Sequence, residues 1–193
     1  MLICRTILAV SLTSLVLTGC AVGDAIQMQM SESMQQYPSV RDWNCEPGRA
    51  QLVIDATGST PAGNFTIEAA VIDSSSSPTS VFRAGAVSAV GITNSWKRVV
   101  LFANLPPGVY RLRQIRLSNV QGWLSSPVPD SDEFTVTLEP DKVGYLGKVV
   151  FEHKFGTLTR TVRLSPDNER RGAASAILKE RFPNSTCVTK LAM

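Results

Sequence analysis

The chain predicts a mainly β protein, an antiparallel β-sandwich followed by one C-terminal amphipathic helix. Three observations carry that expectation. From Gln51 onward apolar residues recur at every second position; clusters of Ser, Asn, Pro and Gly interrupt them at short intervals; and after Pro166 the apolar period lengthens to that of a helix. Alternation of period two sets one face of a strand on a core and the other in water, and many short strands so spaced build a sandwich.

Taken in order, Leu52 and Ile54 alternate with Val53 and Asp55. Phe65, Ile67, Ala69 and Val71 alternate with Thr66, Glu68 and Ala70, and Phe134, Val136 and Leu138 with Thr135 and Thr137. Further strands are predicted at 81–90, 97–103, 109–117, 145–152 and 158–164. Turns are predicted at 74–78, 104–108, 125–132 and 154–156, where Gly, Pro, Asn, Asp and Ser gather. In the 109–117 strand Tyr110 and Leu112 share one parity while Ile115 and Leu117 share the other. All four reach one face only if an extra residue is inserted near Gln114, which predicts a β-bulge there. Asp167, Asn168 and Glu169 open a helix; Ala173, Ala174, Ile177, Leu178 and Phe182 line one side of it, and Pro183 ends it. Gly172 weakens that helix by about 1 kcal/mol relative to Ala.

The N-terminus has a different character. Met1 to Arg5 is short and positively charged, and the apolar run Thr6 to Leu17 is too short to cross about 30 Å of hydrocarbon as a helix. This predicts a cleaved signal peptide over residues 1–19. The run ends in Leu17, Thr18, Gly19 and Cys20, which resembles the lipobox of bacterial lipoproteins: an aliphatic residue, two small ones, then the cysteine that is lipidated. The resemblance implies a diacylglyceryl thioether on Cys20 and cleavage before it. The alternative is an ordinary secretory signal. Two or three acyl chains, at about 0.8 kcal/mol per buried methylene, hold a protein on a membrane permanently where one chain does not. Ala21 stands where an Asp would, by the same resemblance, favour the inner membrane, so the outer membrane is expected, with the body facing the periplasm.

Residues 20–48 read as a lipidated tether: polar, with scattered Met28, Met30 and Met34, and broken by Pro38. Residues 49–193 read as the sandwich with its helix. With Cys4 discarded and Cys20 alkylated, only Cys45 and Cys187 remain, near the two ends of the folded part. In an oxidising periplasm such a pair reads as a disulfide, the alternative being two buried thiols.

Two further segments carry a resemblance. Leu105, Pro106, Pro107, Gly108, Val109 and Tyr110 look like the LPPGxY turn-and-strand of prealbumin-like and Ig-like β-sandwich domains. The segment from Glu139 to Gly147 is similar to the PGKxxYLG stretch of small lipoproteins with such domains, departing from it where Asp141 replaces the usual Gly. The resemblance spans about residues 100–155 and implies a fold and no activity.

Composition narrows the function. A chain 44% hydrophobic and 18% charged is globular, and a net charge of +3, which falls by one when Arg5 leaves, gives no reason to expect a nucleic-acid binder. The chain has one His, His153, with no second cysteine near either mature one, and no GxSxG elbow, so no enzyme, metal site or cofactor is expected. Two readings remain. In the first the body is a non-catalytic interaction or assembly module with an envelope protein partner, with Trp43, Trp96 and Trp123 as partner anchors or core plugs. In the second an Arg-rich sheet face of Arg111, Arg113, Arg116, Arg160 and Arg163 binds an anionic ligand, a lipid head group or a cell-wall polysaccharide.

Overall fold

The computed structural model describes residues 37–56, 66–75, 77–90, 97–119, 122–153, 160–165 and 168–191, and the body they form runs as one compact unit from Tyr37. Nine strands lie in it: β1 (Ala50–Asp55), β2 (Thr66–Ser74), β3 (Ser77–Ser88), β4 (Arg98–Leu105), β5 (Gly108–Asn119), β6 (Gly122–Pro127), β7 (Thr135–Leu138), β8 (Val143–His153) and β9 (Arg160–Ser165). One helix, α1 (Asn168–Arg181), follows, and a 3-10 turn closes Val188–Leu191. The mainly β class and the single C-terminal helix are thus as the sequence predicts.

The arrangement of the strands differs from the expected pair of facing sheets. They follow one path, β6-β5-β2-β3-β4-β1-β8-β9, with β7 also on β5, and the sheet curls into a half-barrel. The reason lies in β3. Its first part pairs with β2 as far as Gly85, and its last residues, Ala86 to Ser88, pair with β4. One strand therefore serves both halves, and the sheet turns around it. The expected antiparallel pairing also has one exception, since β1 runs parallel to β8. Leu146 has no partner in that ladder, because Val53 pairs with Tyr145 and Ile54 with Gly147. Gly147 sits at φ 128°, a backbone conformation that a residue with a side chain rarely adopts.

The hollow of the curl holds the main core: Leu52 and Ile54 of β1, Ile67, Ala70 and Ile72 of β2, Phe102 of β4, and Phe134 and Leu138 around β7. From β5 come Tyr110, Leu112, Ile115 and Leu117 together. The inserted residue that lets all four point inward is Arg113, for Leu112 pairs with Ile72 and Gln114 with Val71. The bulge falls beside the predicted position. A second one at Glu68, between Ile67 and Ala69, was not expected, and it moves the inward set of β2 from Ala69 and Val71 to Ala70 and Ile72.

A smaller core lies on the opposite face of β1 and β4. There Val53, Val99 and Leu101 meet Ala174, Ile177, Leu178 and Phe182 of α1, with Trp43 and Cys187 from the two flanking segments. The β1 strand is consequently buried on both faces along its whole length. Its apparent alternation does not mark a water-facing side, and Val53 and Asp55 lie under the helix layer.

Two local devices confirm why the turns form. The Tyr110 hydroxyl donates to the Pro106 carbonyl at 2.6 Å, pinning the turn ahead of β5, and burial raises its pKa above the ordinary phenol value. Asp141 takes a left-handed φ of 60° in the turn before β8, a conformation Asp tolerates better than most residues, so the turn survives without glycine.

Candidate functional site

Residues 37–46, expected as part of the tether, instead cross the body as a fixed arm. The arm meets the sheet where β3 passes from β2 to β4. Gly85 N donates to Pro38 O at 3.0 Å, and a Cβ on Gly85 would stand 2.7 Å from Tyr37 O, so glycine is required for this approach. Further along, Trp43 is 2% exposed and packs edge-on against Phe182, the ring centroids 5.8 Å apart. Of the three tryptophans it is a core plug; Trp96 and the side chain of Trp123 lie outside the described residues.

A buried polar node holds the arm to the sheet. Gln51, 1% exposed, uses its Oε1 to accept from Trp43 Nε1 and from Asn104 N, both at 3.0 Å, and its Nε2 donates to Asn104 Oδ1 at 2.9 Å. Asn104, in turn, donates through Nδ2 to Asn44 O at 3.0 Å and accepts from Glu46 N at 3.2 Å. A satisfied amide pair of this kind, with Gln51 buried and Asn104 half-buried, fixes one geometry, because any shift leaves polar groups unpaired. Asn104 reaches all these groups from a left-handed φ of 55°.

The arm is also covalently fastened. Cys45 and Cys187 form a disulfide with Cα atoms 5.2 Å apart, and Cys45 N donates to Thr186 Oγ1 at 3.0 Å. The segment after α1 is tied down a second time by Lys190. Its ammonium sits 3.1 Å from Asp141 Oδ1, and that contact, with Gly48 N at 3.2 Å, holds the Asp141 carboxyl below the usual carboxylate range. The helix layer has its own tie, Arg170 gripping the buried Asp55 carboxylate at 2.7 and 3.3 Å. Arm, helix and C-terminal segment therefore form one layer over the outer face of the sheet.

The five arginines expected to make an anion-binding face are placed as follows. Arg111 is ion-paired with Asp130 and Arg113 with Asp73. Arg116 is buried, its guanidinium 5.6 Å from the centroid of the Tyr37 ring at the start of the arm. Arg163 is exposed on β9, with five strands between it and β5 along the sheet path, and the side chain of Arg160 lies outside the described residues. The structure brings Arg111, Arg113 and Arg116 together on β5, with Arg111 and Arg113 each held by a carboxylate.

Cys20 also lies outside the described residues, and of His153 only the backbone, at the end of β8, is described. Among the described residues no group of three potential metal ligands assembles, and no helix is long and apolar enough to cross a membrane. Gln51, Asn104 and the Asp55–Arg170 pair were missed by sequence reasoning. The only available signal for the first and third was a polar residue at each end of the apolar run Leu52 to Ile54. No protein-family model, curated protein or solved structure matches the chain.

Proposed function

We propose that the chain is an envelope lipoprotein: exported, cleaved before Cys20, held on the outer membrane through acyl chains on that cysteine, and facing the periplasm. Its body is a non-catalytic module that engages an envelope protein partner. The observation that carries this reading is the Cys45–Cys187 disulfide, with its Cα atoms 5.2 Å apart. A structural disulfide forms and persists in an oxidising compartment, where a signal peptide would deliver the chain. The finer relationship to prealbumin-like or Ig-like sandwich domains belongs to the same reading. It is supported by the Tyr110 hydroxyl bond to Pro106 O, which resembles the tyrosine corner of Ig-type sandwiches.

The alternative, a binder of anionic ligands through the β5 arginines, ranks lower because Asp130 and Asp73 already neutralise two of them. Cross-linking in intact cells tests the module reading. The expected result is a discrete envelope protein joined to the wild-type chain and not to a Cys20→Ser variant. A chain that cross-links to nothing, or equally well without its lipid, would sink it.

A further inference from the structure

The geometry points to a small-ligand site that neither reading above uses: a cleft between the arm and the end of α1 that fits a dicarboxylic amino acid, free or at the end of a short peptide. It needs neither the lipid anchor nor an envelope partner. The cleft holds about 360 Å³, within the range of sites for small molecules. Arg41, Asp42 and Asn44 line it from the arm, and Arg181, Asn184 and Ser185 from the C-terminal segment. Buried Trp43 and Phe182, packed edge-on, form its floor. The same two segments are joined by the Cys45–Cys187 disulfide and by the bond from Cys45 N to Thr186 Oγ1. The walls are therefore fixed before any ligand arrives, which spares the ligand the cost of ordering them.

The charges decide the ligand. Arg41, Asp42 and Arg181 are exposed, and among the described residues none of them is ion-paired. Arg181 is steadied instead by the Phe182 ring, its guanidinium 5.6 Å from the centroid. Glu46, the other acid on the arm, lies outside the cleft and pairs with Arg49 at 3.9 Å. The cleft thus presents two guanidinium groups and one carboxylate. A simple anion would meet repulsion from Asp42, and a simple cation would meet it from both arginines. A molecule with two carboxylates and one ammonium matches all three, and guanidinium–carboxylate pairs add direction as well as strength. Asn44 and Asn184 supply amide donors and acceptors for a peptide unit. Because the cleft is open, the acidic residue can be free or can end a peptide that runs out of it.

The test titrates glutamate and the dipeptide alanyl-glutamate into the whole chain, its disulfide formed, and follows backbone amide chemical shifts. We expect shifts confined to residues 41–44 and 181–185, fading as salt is added. Tighter binding of glutamate marks the free amino acid as the ligand, and tighter binding of the dipeptide marks a peptide end. Arg41→Gln and Arg181→Gln should each weaken binding about fivefold. Asp42→Asn should weaken it by a similar factor for these probes and leave their N-acetyl forms unaffected, since those lack the ammonium that Asp42 meets. Lys97→Gln, just ahead of β4 and at the end away from Asn104, should change nothing. No shifts in the cleft, N-acetyl probes that bind the parent as well as the free ones, or arginine variants that bind like their parent would overturn the proposal. Because these side chains are exposed the variants keep the fold, and an unchanged near-ultraviolet signal from buried Trp43 verifies it.

Discussion

The hollow of the curled sheet and the layer on its outer face are held together by different physics. Inside, the β5 side chains Tyr110, Leu112, Ile115 and Leu117 close against β1, β2 and β4, and burial of apolar area does nearly all the stabilising. Outside, the arm, α1 and the C-terminal segment bury fewer apolar residues. They are fastened instead by a disulfide, the Gln51–Asn104 node and the Asp55–Arg170 pair. The difference teaches where sequence patterns suffice: the inner core is a matter of spacing, and the outer layer is a matter of specific partners far apart in the chain.

The sharpest way to break that comparison is to remove the covalent fastening. Replacing Cys45 and Cys187 together by Ser opens a loop of 142 residues and should cost about 5 kcal/mol on the chain-entropy model. Urea unfolding should show the loss, and hydrogen exchange should place the first openings in α1 and the arm while β5 stays protected. Equal loss of protection in both regions would mean that they are one cooperative unit. Ile115→Ala, inside the curl, should cost about 2–5 kcal/mol and lower protection throughout, since it removes buried methyl groups from the main core. Gln51→Ala strands the Trp43 indole N–H and the Asn104 amide N–H, for about 1–3 kcal/mol, with Trp43 fluorescence shifting to the red.

Tyr110→Phe removes one hydrogen bond and should cost about 1 kcal/mol near neutral pH. The phenol's pKa is raised in the folded state, so the native chain holds its proton more tightly than the unfolded one. That stabilisation is full below the ordinary value near 10 and drains away as pH rises past it. Unfolding followed against pH should therefore show an alkaline loss in the parent that is smaller in the Phe variant. The smallest effect is a gain. Gly172 is exposed, and an added Cβ there meets nothing within 4 Å, so Gly172→Ala should raise stability by up to about 1 kcal/mol.

Much of the inner region was legible from spacing alone. The parity switch along β5 predicted the bulge, and in the outer layer too spacing marked the helix face, of which Ala174, Ile177, Leu178 and Phe182 are buried and Ala173 half-buried. The Cys45–Cys187 disulfide is the pairing the sequence predicted. What spacing misses is the far side of a strand: alternation in β1 shows which residues share a face and says nothing of what covers the other one. The division of β3 between β2 and β4 was equally invisible, because a ladder partner is a long-range choice. The β6 strand was read as turn because Ser125, Ser126 and Pro127 resemble loop residues, although they pair with β5. Arg111 and Arg113 read as a cationic face, since Asp130 and Asp73 reach them only through the fold.

The proposal as a whole depends on the sulfur of Cys20. Mass spectrometry of the N-terminal peptide from the membrane fraction tests it most directly. The account predicts a chain that starts at this cysteine and carries a diacylglyceryl group on its sulfur; a free thiol there, or a leader still attached, would contradict it.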